Sequence, residues 1–363
     1  MKPPQPVDVL VVGLGPAGST AAAAAASAGL SVLAIERKQQ IGVPVQCAEF
    51  IPLPLGKHAQ APSVLQQRIA GMISHLPSGA AARSALSGLM IDRAAFDQVL
   101  AQQAALQGAV LWRESRLLRI DASQRRAVVS TAAGESEITY RLLIAADGPR
   151  SSVAAGLQLP PLAAVFTRQY TVALLQPLEN TEIWLSGDFP GGYAWLFPKG
   201  EHAHLGAGAD KRFTHDLKQP LDALHRSLVA QGRVGAEIVG ITGGLIPVGG
   251  LRTDLVMGDI LFVGDAAGLT HPITGAGIAA AVDSGELAGI AAGQYLRQRQ
   301  ANALREYQRE IRERYAPSLQ RALQRRHALE VFGQSAISDA QHRQAWIAFP
   351  EYYEALALNA EPA

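Results

Sequence analysis

The chain has 363 residues, more than one hydrophobic core usually accommodates, so we expect two connected domains. Lysine and arginine total 32 against 31 aspartate and glutamate residues, which argues against the broad basic surface of a nucleic-acid-binding protein. A single cysteine excludes an internal disulfide and is compatible with a reducing compartment, so we expect a cytoplasmic protein.

The first long uncharged stretch, residues 9–35, admits two interpretations. Its length would cross a bilayer or form a secretion signal. Its glycines, however, stand in a patterned order that includes Gly13, Gly15 and Gly18. This pattern favours a buried strand, a turn, a helix and a second strand.

Gly13, Gly15 and Gly18 form a G-x-G-x-x-G motif in that turn. Gly13 permits the tight turn, Gly15 lets the backbone approach a pyrophosphate, and Gly18 lets the helix pack on the strand. Glu36 ends the second strand at about the ~20-residue distance where a carboxylate accepts hydrogen bonds from an adenosine ribose. The pattern predicts a dinucleotide site but does not by itself separate NAD from FAD.

The single cysteine, Cys47, follows in a loop after the second strand. Free cysteines are usually small buried hydrophobic residues. Loops at the carboxyl ends of such strands are also where doubly wound folds bind ligands. Both interpretations stand at this point, with a role in the site favoured by the location.

Two further elements precede the middle of the chain. Arg93 begins a predicted helix, where its side chain would reach a phosphate or, alternatively, lie in solvent. The segment 142–153 begins with a predicted apolar strand, and this strand ends at Asp147 and Gly148.

Three aromatic residues, Tyr193, Trp195 and Phe197, alternate along a predicted strand and therefore share one face. That face packs a sheet onto its core or forms the wall of an apolar cavity. Further along, His202 and His204 share a strand face, but no carboxylate or cysteine has ligand spacing to them, so we predict no metal site.

Residues 258–285 are predicted to form a strand, a loop and a helix. Asp265, next to Gly264 at the strand end, suits a ribose or ribitol hydroxyl, and the helix start at Gly275-x-Gly277 offers donors to a flavin. His271 lies in the loop between them, at the site or on the surface. A generic strand-loop-helix is the alternative, but together with the N-terminal motif the segment indicates FAD.

The last third of the chain is helical in composition over residues 294–329, with arginine interleaved with Glu306, Glu310 and Glu313. We interpret it as a solvated helix with i,i+4 ion pairs, and alternatively as a surface for anionic lipid or a diphosphate. No second glycine-rich dinucleotide motif follows the first. The reductant is therefore expected to be transiently bound NAD(P)H or an electron-transfer protein.

In this order, these segments resemble the FAD-binding framework of para-hydroxybenzoate hydroxylase-like flavoproteins over about residues 5–290. Within that superfamily, Tyr193-x-Trp195-x-Phe197-Pro198 followed by Gly206-x-Gly208 is similar to the substrate-cavity signature of the geranylgeranyl reductase family. The P-x-x-C-x-x-F element of that family is matched by Pro44, Cys47 and Phe50.

The resemblance implies an FAD enzyme that delivers a hydride to a double bond of an isoprenoid, with Cys47 facing the flavin and the alkene. The chain is shorter than the better-known members, which leaves the substrate's identity and length open. The predicted catalytic residues are Cys47 and His271, and the predicted substrate-binding residues are Tyr193, Trp195 and Phe197. The predicted cofactor-binding residues are Gly13, Gly15, Pro16, Ala17, Gly18, Glu36, Arg37, Cys47, Ala48, Arg93, Asp147, Gly148, Gly264, Asp265, Pro272, Gly275, Gly277 and Ile278.

We therefore predict an α/β flavoprotein in which a Rossmann-type FAD-binding domain (1–57, 90–155 and 250–300) is interleaved with a β-rich substrate-binding domain (58–89 and 156–249). Residues 301–363 are predicted to form a helical C-terminal region. We expect no nucleic acid as a partner, a hydrophobic small-molecule substrate, and a peripheral contact with a membrane as a further prediction. The alternative functions are a flavin-dependent monooxygenase and a flavin-bearing accessory protein without turnover.

Overall fold

The computed structural model describes residues 6–330 and 337–354. Its strands, in chain order, are β1 (Val7–Val12), β2 (Val32–Ile35), β3 (Phe50–Pro52), β4 (Leu65–Ile69), β5 (Gly71–His75), β6 (Ala81–Ser84), β7 (Gly88–Ile91), β8 (Val110–Trp112), β9 (Arg116–Asp121), β10 (Arg126–Thr131), β11 (Gly134–Ala145), β12 (Ala164–Leu174), β13 (Asn180–Trp184), β14 (Ala194–Lys199), β15 (His202–Ala209), β16 (Val234–Thr242), β17 (Leu245–Pro247), β18 (Val256–Met257) and β19 (Ile260–Phe262).

Its α-helices are α1 (Pro16–Ser27), α2 (Arg93–Leu106), α3 (Ser152–Gly156), α4 (Lys218–Ala230), α5 (Gly264–Ala267), α6 (Ile278–Leu296), α7 (Ala303–Glu330) and α8 (Asp339–Ala345). Two short 3-10 helices cover Leu53–His58 and Pro350–Tyr352. None of the helices in this described part of the chain combines the length and the apolar composition that crossing a bilayer requires.

The first sheet has the strand order β18-β19-β11-β1-β2-β8, with β9 and β10 added through β11. The strands β19, β11, β1, β2 and β8 run parallel to one another, whereas β18 and β10 pair antiparallel with β19 and β11. Their side chains are apolar on both faces, as the sequence predicts for a buried parallel sheet, and β1 and β2 are almost entirely buried. This sheet with its helices is the predicted Rossmann-type layer.

Helices α1 and α6 pack on one another through alanine and glycine. A Cβ added to Gly285 would lie 2.1 Å from the carbonyl oxygen of Ala17, and one added to Gly289 would lie 2.5 Å from that of Ala21. The Thr20 hydroxyl donates across the same contact to the carbonyl oxygen of Val282 at 3.1 Å. The N-terminal motif and the downstream helix are therefore held together by close backbone approach.

The second sheet has the order β16-β12-β15-β14-β13-β5-β6, with β17 paired to β12. It is mostly antiparallel, and helix α4 covers part of it through an apolar core that includes Leu221 and Leu228. A third, small sheet of β3, β7 and β4 uses strands from both sides of residue 57. The division into domains at the residues given above stays a prediction.

The C-terminal region is helical, as predicted, but its arginine-rich segment differs from the expectation in two respects. Residues 297–302 separate α6 from α7, so the segment from 294 to 329 is not one helix. Arg325 and Arg326 are buried rather than solvated, because Arg325 donates to the carbonyl oxygen of Tyr352 at 2.9 Å and Arg326 pairs with Asp210 at 2.9 Å. The predicted exposed pairs do form, at Arg309 with Glu313 for example.

Candidate functional site

The turn between β1 and α1 has the geometry that its glycines predict. Gly13 has φ +98°, and a Cβ there would lie 2.4 Å from the carbonyl oxygen of Ala146. At Gly18 a Cβ would lie 1.8 Å from the carbonyl oxygen of Gly13, so the helix and the turn are in contact. Apart from its chain neighbours and the backbone of its own helix, no atom of residues 6–330 and 337–354 lies within 4 Å of a Cβ added to Gly15, so space remains open beside this backbone.

Glu36 lies after the end of β2, next to that turn. Its Oε2 accepts a hydrogen bond from the backbone N–H of Leu14 at 3.0 Å, and its Oε1 accepts one from the N–H of Lys38 at 3.0 Å. The carboxylate is therefore oriented by the glycine turn itself and by the loop that follows β2. Arg37, the next residue, is exposed.

Asp147 follows β11, and its backbone lies against Gly13. Its Oδ2 accepts a hydrogen bond from the N–H of Val153 at 3.0 Å. Its Oδ1 is buried and has no hydrogen-bond partner among residues 6–330 and 337–354. Burial raises the pKa of this carboxyl group. Gly148, with φ +79°, turns the chain away immediately afterwards.

The segment after β19 brings Asp265 and the start of α6 together. Asp265 Oδ1 accepts a hydrogen bond from the Thr270 hydroxyl at 2.6 Å, and burial raises the pKa of this carboxyl group. Gly277 precedes the first residue of α6, Ile278, as the predicted helix start requires. Gly275 has φ +68° in the loop before it. Pro272 is buried in the same loop.

His271 lies in this loop and is half-buried. Its Nδ1 accepts from the backbone N–H groups of Ile273 and Thr274, both at 3.3 Å. The Tyr352 hydroxyl lies 3.4 Å from its Nε2. Burial lowers the pKa of His271 to about 4, so the imidazole is neutral at pH 7.

Cys47 is half-buried. Its Sγ accepts a hydrogen bond from the backbone N–H of Glu49 at 3.2 Å. Burial raises the pKa of the thiol, although the nearby Arg93 charge acts in the opposite direction. The Arg93 guanidinium also pairs with Asp97, with Nε 2.7 Å from Oδ1, so this arginine is not in solvent.

A chain of hydrogen bonds connects Cys47 to the aromatic strand. The Gln169 side-chain nitrogen donates to the carbonyl oxygen of Cys47 at 3.1 Å. Its Oε1 accepts from Trp195 Nε1 at 3.1 Å. Ala48, the residue after Cys47, packs against the apolar cluster that contains Trp195. The cysteine loop and β14 are therefore positioned by one another.

Tyr193, Trp195 and Phe197 all contact one apolar cluster, as their alternation predicts. The ring centroids of Tyr193 and Trp195 are 5.7 Å apart, and Trp346 lies 4.8 Å from Tyr193 on its other side. The Tyr193 hydroxyl donates to the carbonyl oxygen of Thr274 at 2.6 Å, which joins β14 to the loop of His271.

A cavity of about 370 Å³ lies beside this cluster. Its apolar lining includes Leu185, Phe189, Tyr193, Ile273, Leu329 and Trp346. Trp195 and Phe197 do not line it, so the structure places them in the packed layer behind Tyr193. The sequence did not indicate that α8 would supply part of the wall.

A buried charged cluster beside Cys47 was missed from the sequence. The Glu49 carboxylate is 2 % exposed and contacts Lys199 Nζ at 2.7 Å and His204 Nε2. His202, by contrast, is exposed, so the two histidines differ although they share a strand. No group of three or more metal-ligand side chains occurs within the described ranges. The sequence feature that could have indicated this cluster was Glu49, a glutamate two residues after Cys47.

These positions fit an FAD molecule. The open space at Gly15 allows a phosphate to approach the start of α1, and Pro16 and Ala17 begin that helix. The buried Asp147 Oδ1, which has no partner in the part of the chain described, is an acceptor that a sugar or ribitol hydroxyl would satisfy. Gly264 and Asp265 follow β19 next to the start of α1, where a Cβ added to Gly264 would lie 3.1 Å from the Cβ of Ala17.

Comparison with known proteins gives three findings. The family model described as FAD dependent oxidoreductase matches residues 8–148. A digeranylgeranylglycerophospholipid reductase of Methanosarcina acetivorans is 37% identical over 305 residues, which are 78% of this chain and 74% of that protein. The corresponding reductase of Methanocaldococcus jannaschii is 32% identical over 89% of this chain and 86% of its own length.

The solved structures that match this chain agree with these sequence matches. The crystal structure of a geranylgeranyl bacteriochlorophyll reductase-like protein from Thermoplasma acidophilum superimposes with a TM-score of 0.84 and 28% identity, covering 94% of this chain and 92% of that one. The flavin-dependent halogenase CmlS, at 19% identity and a TM-score of 0.73, shares the fold. The protein is an FAD-dependent enzyme, and its chain belongs to the geranylgeranyl reductase family of FAD-dependent oxidoreductases.

Proposed function

We propose that this enzyme reduces carbon-carbon double bonds of an isoprenoid lipid. The observation that supports the proposal is the hydrogen-bonded connection from Trp195 through Gln169 to the backbone carbonyl oxygen of Cys47, because it links the cysteine loop to the aromatic strand of the family signature. The relatives described above are named as reductases of an isoprenoid lipid, digeranylgeranylglycerophospholipid.

For the cofactor, we propose that the turn at Gly13–Gly18 and Arg93 hold the diphosphate and that Glu36 holds the adenosine ribose. Asp265, Asp147 and the start of α6 would hold the ribitol and the flavin ring. When bound and reduced, FAD supplies a hydride. The chain itself must then orient the alkene, exclude water and provide the proton for the second carbon.

Cys47 is the proposed proton donor. Burial raises the pKa of its thiol, so the group is protonated at neutral pH. Glu49 is unsuited to that task, since His204 and Lys199 outweigh the effect of burial and hold the pKa of its carboxyl group below its ordinary value. His271 is neutral at pH 7, and we propose that it positions the loop around Thr274 rather than carrying a charge.

For the substrate, we propose that the 370 Å³ cavity beside Tyr193 takes the isoprenoid chain. The apolar and aromatic part of its lining suits a hydrocarbon chain, while Asp188, Arg326 and Glu330 also line the cavity and suit a polar end of the same molecule. Exclusion of water favours hydride transfer over side reactions. The roles of Trp195 and Phe197 are then to support the wall from behind.

We further propose that the enzyme works at a membrane surface. Val239 and Ile241 are exposed apolar side chains on β16, the edge of the second sheet. The end of this strand contacts the loop before Cys47, where the Thr242 hydroxyl donates to the carbonyl oxygen of Val45 at 2.7 Å. The arginines of α7 give less support for a lipid contact, because Arg309 and Arg314 are paired with carboxylates.

The decisive experiment is a half-reaction. The purified enzyme, reduced with dithionite under anaerobic conditions, is mixed with a geranylgeranyl lipid, and flavin reoxidation is followed by absorbance. Alkene-dependent reoxidation with a saturated product supports the proposal. Reoxidation that requires oxygen, with substrate-dependent oxygen consumption, would establish a monooxygenase instead. No reoxidation by either route, or a flavin that no donor reduces, would indicate an accessory protein.

The physiological reductant is proposed to be NAD(P)H or an electron-transfer protein. Rates of flavin reduction by each donor, measured in the same apparatus, separate the two.

A further inference from the structure

Glu49 is an unusual residue in its local conformation and in its surroundings. It has φ +67°, a left-handed conformation that residues other than glycine adopt rarely. Its side chain is among the few buried carboxylates of the described chain, and neighbours on three different elements contact it. The backbone N–H of Arg93 donates to its Oε1 at 2.7 Å, and Lys199 and His204 both contact its Oε2.

These contacts fix the backbone as well as the side chain. The carbonyl oxygen of Glu49 accepts from the N–H of Ile91 at 2.9 Å, at the edge of β7. With carbonyl and carboxylate both anchored, the left-handed residue directs its own N–H at the sulfur of Cys47, 3.2 Å away. The left-handed backbone conformation of Glu49 costs about 1 kcal/mol or more to maintain, so loss of any one of these contacts would let the residue leave it.

From this geometry we propose that Glu49 is a positioning residue, which holds Cys47 as an oriented and protonated thiol. The proposal rests on the proposed function insofar as the thiol proton is the one delivered to the alkene. The N–H of Glu49 donates to a lone pair of the sulfur and so orients the thiol, although this bond, like the neighbouring Arg93 guanidinium, lowers the pKa of the thiol and favours loss of the S–H proton. The carboxylate of Glu49 adds a negative charge that disfavours loss of that proton.

Other charges around the pair act on the same proton. The charged and titratable side chains that face Cys47 or Glu49 from the neighbouring elements are Arg93, Tyr193, Lys199 and His204. Two further carboxylates pair with these cations, Asp97 with Arg93 and Asp92 with Lys199. Lys199 offsets the charge of Glu49, so replacing these two residues should move the ionisation of Cys47 in opposite directions. If the two substitutions only made the loop of Cys47 more mobile, by contrast, the thiol would become more reactive in both variants.

Because Cys47 is the only cysteine in the chain, its reaction with iodoacetamide reports this ionisation without background. The rate is measured from pH 6 to 10 on the FAD-loaded enzyme, with Cys47→Ser as the blank. In Glu49→Gln we expect the midpoint to fall by about one pH unit, so that alkylation at pH 7 is roughly tenfold faster. In Lys199→Met we expect a higher midpoint and slower alkylation.

The matched control is Glu201→Gln, an exposed glutamate on the hairpin between β14 and β15, for which no change is expected. An unchanged midpoint in Glu49→Gln, or shifts in the same direction in both variants, would overturn the proposal. If Glu49→Gln does not fold, the slower alkylation of Lys199→Met still decides. Alkylation requires no alkene turnover, so this test can fail or succeed independently of the reductase proposal.

Discussion

The two large sheets of this protein carry proposed sites that are built in different ways. Around the first sheet, α1 and α6 approach through glycine and alanine, and the space at Gly15 is left open by the absence of a side chain. Around the second sheet, the site is built from large side chains, with Tyr193, Trp195 and Trp346 packed ring against ring. The first arrangement suits a cofactor of constant shape, whereas the second can be altered one side chain at a time to suit a substrate.

The largest effects on stability and on FAD content should come from the glycine turn, where substitutions of Gly15 and Gly18 are expected to have different consequences. Gly18→Val places a Cβ against the carbonyl oxygen of Gly13, at 1.8 Å in the present geometry, and should destabilise the fold by more than about 4 kcal/mol. Gly15→Val meets no protein atom, and Gly15 has φ −75°, so the fold should persist while FAD is lost. Thermal unfolding and flavin absorbance measure the two effects. A yellow Gly15→Val protein would contradict the proposed phosphate site.

In the aromatic layer, Trp195→Ala should reduce stability by about 3–5 kcal/mol because a buried indole is removed. It also leaves Gln169 without the donor at 3.1 Å that orients it toward Cys47. We expect unchanged FAD content per folded protein and weaker turnover of a long isoprenoid, measured by steady-state kinetics. Loss of flavin without a selective kinetic effect would assign Trp195 to core packing alone.

Cys47 is the proposed proton donor, and its variants separate proton donation from packing. Cys47→Ala should leave FAD content and the rate of flavin reduction unchanged but slow alkene-dependent reoxidation by ~10²-fold, the usual range for a lost general acid. Cys47→Ser nearly preserves the size and keeps a proton, so its rate should lie between those of wild type and alanine. An alanine variant with the wild-type rate in stopped-flow measurements would make Cys47 a packing residue.

A smaller effect is expected from His271 in the loop that joins the two sites. Its pKa is about 4 in the folded protein and near 6.5 when unfolded, so the unfolded chain binds a proton first as the pH falls. The free energy of unfolding should therefore decrease between pH 6.5 and 4, by at most ~3 kcal/mol from this residue. His271→Gln should show a shallower decrease than wild type in urea denaturation at pH 7, 5.5 and 4.5. Parallel curves would show that the histidine is solvated.

The sequence by itself determined the nucleotide-binding half of this protein. Gly13, Gly15 and Gly18 act through backbone conformation and close approach, which are local properties, so their spacing predicts the turn that is observed. The alternation of Tyr193, Trp195 and Phe197 predicted a shared environment for the same reason, since a strand has a fixed period of two.

Only the tertiary structure decided what surrounds Cys47. Glu49, Lys199 and His204 lie up to 155 residues apart, and no local pattern indicates that their side chains meet. The burial of Arg326 could not be predicted from the sequence either. A helix of alternating charges has the same sequence pattern whether its last turn lies in solvent or against Asp210. Such contacts depend on how separate elements pack against one another. Packing depends on the shapes of both contacting surfaces, so the sequence of either segment alone does not determine it.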